Sequence, residues 1–270
     1  MMEPIIVRGA GDIATGSIYM LVKAGYPVIC LDIPKPSAIR RTVSFCQAAY
    51  EGKATVQDMT CYLARDFKEA REISMKGEVA LLLDEKCECL KEYKPWFLVD
   101  AILAKKNLGT TRDMANVTVG LGPGFIAGID TDYVIETQRG HSLGRIIDKG
   151  AAIPNTGVPG MIGGYSRERV IHSPAEGIIR NLHEIGDLVE KGQVIAVIED
   201  RGQETPVLAS LTGILRGIIQ DGYHVSLGLK MADIDPRQDE QKNCYTISDK
   251  ARTIGGAVLQ LACATEHGIL

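Results

Sequence analysis

Apolar and polar positions along this chain follow two periods, and the change between them divides it. In the first half, short apolar runs are separated by longer polar stretches. Ile5-Ile6-Val7, Val28-Ile29-Cys30-Leu31, Val79-Ala80-Leu81-Leu82-Leu83, Trp96-Phe97-Leu98-Val99, Val117-Thr118-Val119 and Tyr133-Val134-Ile135 read as buried strands. Ile13, Ala14, Ser17, Ile18, Leu21 and Val22 form one helical stripe after the first run. Ser37 reads as the start of a second helix over Ala38 to Tyr50. Residues 53–78 suggest a short strand and a helix through Ala64 to Met75, and the charged stretch from Asp84 to Lys94 looks helical. Strands alternating with helices predict an α/β domain with a parallel sheet.

The turn after the first run carries the most specific pattern. Gly9-x-Gly11-x-x-Ala14 has the spacing in which two glycines and a small residue open a helix beneath a phosphate. Gly9 allows the tight turn, Gly11 lets a ligand approach the backbone, and the helix start favours an anion. Asp32 ends the second strand, twenty-one residues beyond Gly11, where an acid can take a ribose hydroxyl. The fold class expected is therefore α/β, a Rossmann-like doubly wound parallel sheet. Asp12 argues the other way, because its carboxylate can cap the helix itself and repel phosphate, with Arg8 offsetting that charge. Arg40 and Arg41 fall in the first turn of the expected second helix, badly placed for its dipole. Either Arg40 reaches a ligand phosphate or it lies in solvent.

Three later loops add candidates. Lys105, Lys106, Asn107 and Thr110 follow the strand that ends in Asp100, and two cations with neutral donors suit an oxyanion. Gly122 and Gly124 lie in a second glycine-rich loop, and Glu136 ends a further strand. His141 stands between Arg139 and Arg145, neighbours that would favour a neutral imidazole acting as base or donor. Gly9, Asp32, Asp100, Gly122 and Glu136 all fall at carboxyl ends of expected strands, where open α/β sheets bind ligands.

Beyond residue 153 the pattern changes. Residues 154–164 hold six glycines and prolines in eleven positions, which places a hinge over 154–169 after a cofactor-binding domain, 1–153. Residues 170–236 repeat themselves. Gly177, Gly186, Val189 and Gly192 recur as Gly213, Gly222, Val225 and Gly228, all at an offset of thirty-six. Short strands punctuated by glycine turns in two copies resemble the biotinyl/lipoyl-carrier fold, which implies a small all-β barrel-sandwich hybrid domain. The expected central hairpin, Glu199 to Pro206, has no lysine, so covalent biotin or lipoate is not expected. A C-terminal helix over 245–267, capped by Ser248, places Ala251, Ile254, Val258, Leu261 and Ala262 on one face for return to the first domain.

Composition narrows the partners. A formal net charge of −4 over 270 residues gives no field to gather nucleic acid or anionic lipid. No apolar run has a membrane helix's length, and the N-terminal sequence lacks a signal-peptide pattern, so a cytoplasmic protein is expected. Seven scattered cysteines suggest free thiols, and no metal site is expected.

Three stretches combine with the repeat. They are Arg8-Gly-Ala-Gly-Asp-Ile-Ala-Thr-Gly16, Ala38-Ile-Arg-Arg-Thr-Val43, and Lys105-Lys-Asn-Leu-Gly-Thr-Thr111 followed by Gly120-Leu-Gly-Pro-Gly124 and Glu136-Thr-Gln-Arg-Gly-His141. Together they resemble the YqeB family, accessory proteins of the selenium-dependent molybdenum hydroxylase system. The resemblance implies a maturation role beside an apo molybdenum hydroxylase and supplies no catalytic residues. The small phosphate-bearing ligand is then NAD(P), a molybdopterin dinucleotide or another nucleotide. An NAD(P)-dependent oxidoreductase with His141 as acid/base, and a non-catalytic scaffold, are the competing readings. A homo-oligomer is left open.

Overall fold

The computed structural model describes residues 3–158 and 160–270. Pro159, within the expected hinge, lies outside the described residues. The chain divides into two compact units. One comprises residues 1–36, 44–156 and 247–270, and the other residues 37–43 and 157–246.

The first unit is built on a nine-stranded sheet. Its strands are β1 (Ile5–Arg8), β2 (Val28–Asp32), β3 (Lys53–Val56), β4 (Met59–Ala64), β5 (Val79–Leu83), β6 (Phe97–Asp100), β7 (Val117–Leu121), β9 (Tyr133–Ile135) and β10 (Ile146–Ile147). A separate small pair is formed by β8 (Ile126–Ala127) and β11 (Gly150–Ala151). The strand order is β10-β9-β7-β6-β1-β2-β5-β4-β3. Every pair from β9 to β4 is parallel, and β10 and β3 close the edges antiparallel. Strand alternation sends Ile6, Ile29, Ala80 and Leu98 to one face, where they pack with Ala70, Phe67 and Ile73 of a helix, α3 (Phe67–Ser74).

This sheet corrects the expected fold class. It is mixed rather than doubly wound and parallel, and helices are few. They are α1 (Asp12–Lys23), α2 (Ala48–Glu51), α3 and α4 (Asp249–Glu266). Between β5 and β6, and between β6 and β7, the chain makes only single 3-10 turns, at Glu88–Lys91 and Arg112–Met114. Those connections are too polar, and too broken by Pro95 and Gly109, to bury a helical face. At Asp84 the carboxylate takes the Glu88 and Cys89 N–H groups, a local alternative to a helix. The helix expected over Ala38 to Tyr50 is reduced to two 3-10 turns and the four residues of α2.

α4 packs along α1. Ser248 caps it by accepting from the Ala251 N–H at 3.2 Å, and Ala251, Ile254, Val258, Leu261 and Ala262 are buried. The helices meet at glycines. A Cβ on Gly16 would lie 2.5 Å from the Ala251 carbonyl, and one on Gly255 would lie 2.6 Å from that of Gly16.

The second unit holds β12 (Val170–His172), β13 (Gly177–Asn181), β14 (Leu188–Val189), β15 (Val194–Asp200), β16 (Gln203–Leu208), β17 (Gly213–Ile218), β18 (His224–Val225) and β19 (Lys230–Asp235). They form two four-stranded antiparallel sheets, β12-β19-β17-β14 and β16-β15-β13-β18, in place of the expected hybrid barrel. The duplication is visible in the pairing. β13 pairs with β15 as β17 pairs with β19, and each copy lends its short strand to the other copy's sheet. A Cβ on Gly177 would meet the Glu199 carbonyl at 2.5 Å, and one on Gly213 would meet the equivalent Asp235 carbonyl. Glycine at both positions lets the two strands close up.

Candidate functional site

β1, β2, β6, β7 and β9 run parallel, so Gly9, Asp32, Asp100, Gly122 and Glu136 share one edge of the first unit's sheet. Backbone contact joins the loops there. Gly9 has φ +87°, and a Cβ on it would lie 3.0 Å from Ile102 backbone atoms. Gly124 has φ +116°, and a Cβ there would come within 2.7 Å of the Lys106 backbone. Gly122, at φ +80°, faces Thr137. The turn after β1 and the glycine loop after β7 thus both press on residues 101–106. In that segment Leu103 and Lys105 adopt φ of +60° and +63°, costly for residues with side chains.

Beneath this loop lies a buried polar cluster. The Arg8 guanidinium sits 3.2 Å from Asp100 Oδ2, donates to Thr110 Oγ1 and reaches the Leu108 carbonyl at 3.4 Å. Thr110 Oγ1 donates to the same Asp100 oxygen at 2.5 Å, and Asp100 Oδ1 accepts the Ile102 N–H at 3.1 Å. Asn107 closes the loop, its side chain accepting from Gly109 and Thr110 N–H and donating to the Thr110 carbonyl. Arg8, Asn107 and Thr110 therefore shape the loop, while Lys105 and Lys106 stand exposed on it.

The acids have partners too. Asp32 Oδ2 accepts the Ala10 N–H and Oδ1 the Ile33 N–H, both at 2.8 Å. Burial pushes the Asp32 carboxyl up, against these two hydrogen bonds. Asp12 accepts the neighbouring Ile13 N–H, and Gly11 caps α1 with extended backbone and open space where a Cβ would stand. Glu136 is buried and takes the N–H groups of Gln138 and Ile153 at 2.8 Å each.

Two candidates stand apart. Arg40 belongs to the second unit, where it donates to the Asn243 carbonyl at 3.1 Å. His141 is exposed and makes no side-chain hydrogen bond among the described residues. Its neighbour Arg139 pairs with Asp249 through two bonds of 2.7 and 2.8 Å, which hold the Asp249 carboxyl well below its usual range.

Two cysteines that belong to no sequence motif enter the neighbourhood. Cys87 lies beside Arg8, and its thiol is raised by burial, partly offset by that guanidinium. Burial also raises the Cys46 thiol well above its usual value, and the nearby Asp32 and Asp12 add to the shift. Neither position carries a local signal, because the contacts span tens of residues. Among the described residues no group of three or more His, Cys, Asp or Glu is arranged to hold a metal ion. A shallow groove of about 880 Å³ lies along α3, lined by Phe67, Arg71, Met75 and Lys76, and shares no residue with this cluster. Among the described residues no helix is long and apolar enough to cross a membrane.

No family model matches the chain. An uncharacterized protein YqeB of Escherichia coli (strain K12) is 49% identical over 263 residues, covering 97% of this chain and 48% of that protein. This relation supports the YqeB family, and the chain spans about half the length of the relative it matches. Solved structures resemble it only loosely. An aspartoacylase family protein from Mesorhizobium loti has a TM-score of 0.30 at 11% identity, over 87% of this chain and 85% of that one. A succinylglutamate desuccinylase from Silicibacter sp. has a TM-score of 0.26 at 13% identity, over 86% and 84%. The product-bound ectoine utilization protein EutE (DoeB) from Ruegeria pomeroyi has a TM-score of 0.24 at 12% identity, over 85% and 56%.

Proposed function

We propose that the chain is an accessory factor in the maturation of a selenium-dependent molybdenum hydroxylase, and that it holds a phosphate-bearing cofactor or nucleotide at the strand-end loops of its first unit. The maturation role rests on the resemblance to the YqeB family. The ligand class rests on one observation. Gly9 and Gly124 pack against the backbone of residues 101–106, and that loop carries Lys105 and Lys106 exposed at the edge where Gly9, Asp32 and Gly122 also lie. Arg8 does not supply the charge, because Asp100 already neutralises it. Asp12 and Asp32 make the start of α1 a poor phosphate seat and a better acceptor of ligand hydroxyl or N–H groups. The phosphate therefore belongs at the lysines.

Thermal-shift titration tests this with NAD(H), NADP(H), CTP, ATP and a molybdopterin dinucleotide, on the natural chain and on Lys105→Ala/Lys106→Ala. Saturation near a hundredfold over Kd stabilises by about 2.7 kcal/mol, a readily measured shift. The expected outcome is stabilisation by the pterin dinucleotide, lost in the double variant while the ligand-free melting temperature is unchanged. Stabilisation by NAD(H) or NADP(H) alone would favour an oxidoreductase. No response to any compound would favour a scaffold and overturn the proposal.

A further inference from the structure

In the second unit one buried carboxylate faces two guanidiniums. Asp233, on β19, accepts from Arg169 Nη2 through both of its oxygens, at 3.2 and 3.3 Å. Arg169 is buried too, and its Nε donates to the Ile234 carbonyl at 3.2 Å. Arg216 approaches the same Asp233 carboxylate from β17, but only to 3.8 Å, outside hydrogen-bond reach. The next acid along β19, Asp235, is held by Arg237 through bonds of 3.0 and 2.7 Å. The Arg216 side chain is only 15% exposed, and its Nε is buried with no hydrogen bond among the described residues. A buried guanidinium left in this state is costly, and the missing partner needs an explanation.

The local fold puts Arg216 there. The register of β17 against β19 shifts between Leu215 and Gly217, so Arg216 is the extra residue of a bulge. Leu215 pairs with Ile234 in the apolar core, whereas Gly217 pairs with Asp233 on the opposite face. Residues 39–42 and 243–244 cover that face, with Thr42 Oγ1 donating to the Cys244 carbonyl at 2.6 Å. Gly217 admits the cover, since a Cβ there would lie 2.8 Å from the Ile39 carbonyl and 3.4 Å from Arg40 Cγ. Arg40 is buried and donates to a neutral acceptor, the Asn243 carbonyl, at 3.1 Å. Burial pushes the Cys244 thiol up, and Arg216 and Arg40 both ease it down, so both guanidiniums lie near it.

We propose that Arg216, with Arg40 beside it, binds a small oxyanion, a phosphate or carboxylate group, in the polar layer between β17 and its covering segments. Guanidinium forks match the geometry of both groups and hold them through charge-assisted hydrogen bonds. The anion accepts from Arg216 Nε, which the protein leaves unmet. It also balances the charge that Asp233 does not, because Asp233 is committed to Arg169. This site is distinct from Lys105 and Lys106, which belong to the first unit.

The probes are inorganic phosphate and malonate, one for each class of group, against potassium chloride at matched ionic strength. Melting is followed for the natural chain, Lys105→Ala/Lys106→Ala, Arg216→Met and Arg216→Lys. The natural chain and the lysine variant should melt about 2–4 °C higher in at least one of the two oxyanions than in chloride. Which one stabilises names the class of group. Arg216→Met should lose the rise, and in chloride it should melt at or above the natural chain, because an unpartnered buried charge is gone. Arg216→Lys keeps the charge without the fork and should keep only part of the rise. Equal melting of the natural chain in phosphate, malonate and chloride would overturn the proposal. So would a rise that survives in Arg216→Met, or one that vanishes in the lysine variant and so belongs to the first unit. A lower melting temperature of Arg216→Met in chloride would make the guanidinium structural and would overturn it too.

Discussion

Arg8 and Asp100 bury opposite charges under one loop, and their environment decides what each can do. Neither side chain reaches solvent to any extent. A buried pair repays its desolvation only when the remaining donors and acceptors are met. Thr110 Oγ1, the Leu108 carbonyl and the Ile102 N–H meet them here. Asp100→Ala should cost about 3–5 kcal/mol by leaving a buried guanidinium unpaired. Adding Arg8→Ala should recover part of that loss, because the orphaned charge goes too. Urea unfolding of the two single variants and the double variant measures this. Additive losses would show that the pair does not act as a unit. Asp32 follows the same logic, since its oxygens secure the Ala10 and Ile33 N–H groups at the turn.

At the scale of elements, the crossing of α1 and α4 separates two effects of a methyl group. Gly16 and Gly256 both lie inside helices, where alanine gains about 1 kcal/mol over glycine. Gly256 has nothing within 4 Å of an added Cβ, so Gly256→Ala should show that gain. At Gly16 the Ala251 backbone stands in the way, so Gly16→Ala should lose about 1–3 kcal/mol as the helices are forced apart. Melting temperatures that rise for both variants would refute the close crossing. Both helices are legible in the sequence, since each carries an apolar stripe at helical spacing. So is the duplication, whose glycines recur because each copy closes one strand onto another. The path of residues 37–43 is not legible. Arg41 finds Ile218 and Thr42 finds Cys244 at separations of 177 and 202 residues, and no local pattern records such partners. The roles of the loop glycines are ambiguous for the same reason. Gly9 has the spacing of a phosphate cradle and Gly124 lies in a second glycine-rich loop, yet each is also required by a loop distant in sequence. The sheet's antiparallel edges leave no clear signal because β3 and β10 are only four and two residues long, too short to show an alternating pattern.

At the scale of the molecule, each unit has its own organising device. The first gathers loops at the carboxyl ends of five parallel strands. The second repeats one supersecondary unit, each copy lending its short strand to the other copy's sheet. The proposed function depends on the first: its loops meet in order to hold something anionic, and not only to complete a turn. Crystals of the chain soaked with a molybdopterin dinucleotide put this to the test without an intermediate step. The expected result is electron density for a phosphate group against Lys105 and Lys106, with the rest of the ligand toward Gly11 and Asp12. Density elsewhere on the molecule, or none at saturating ligand, would contradict it.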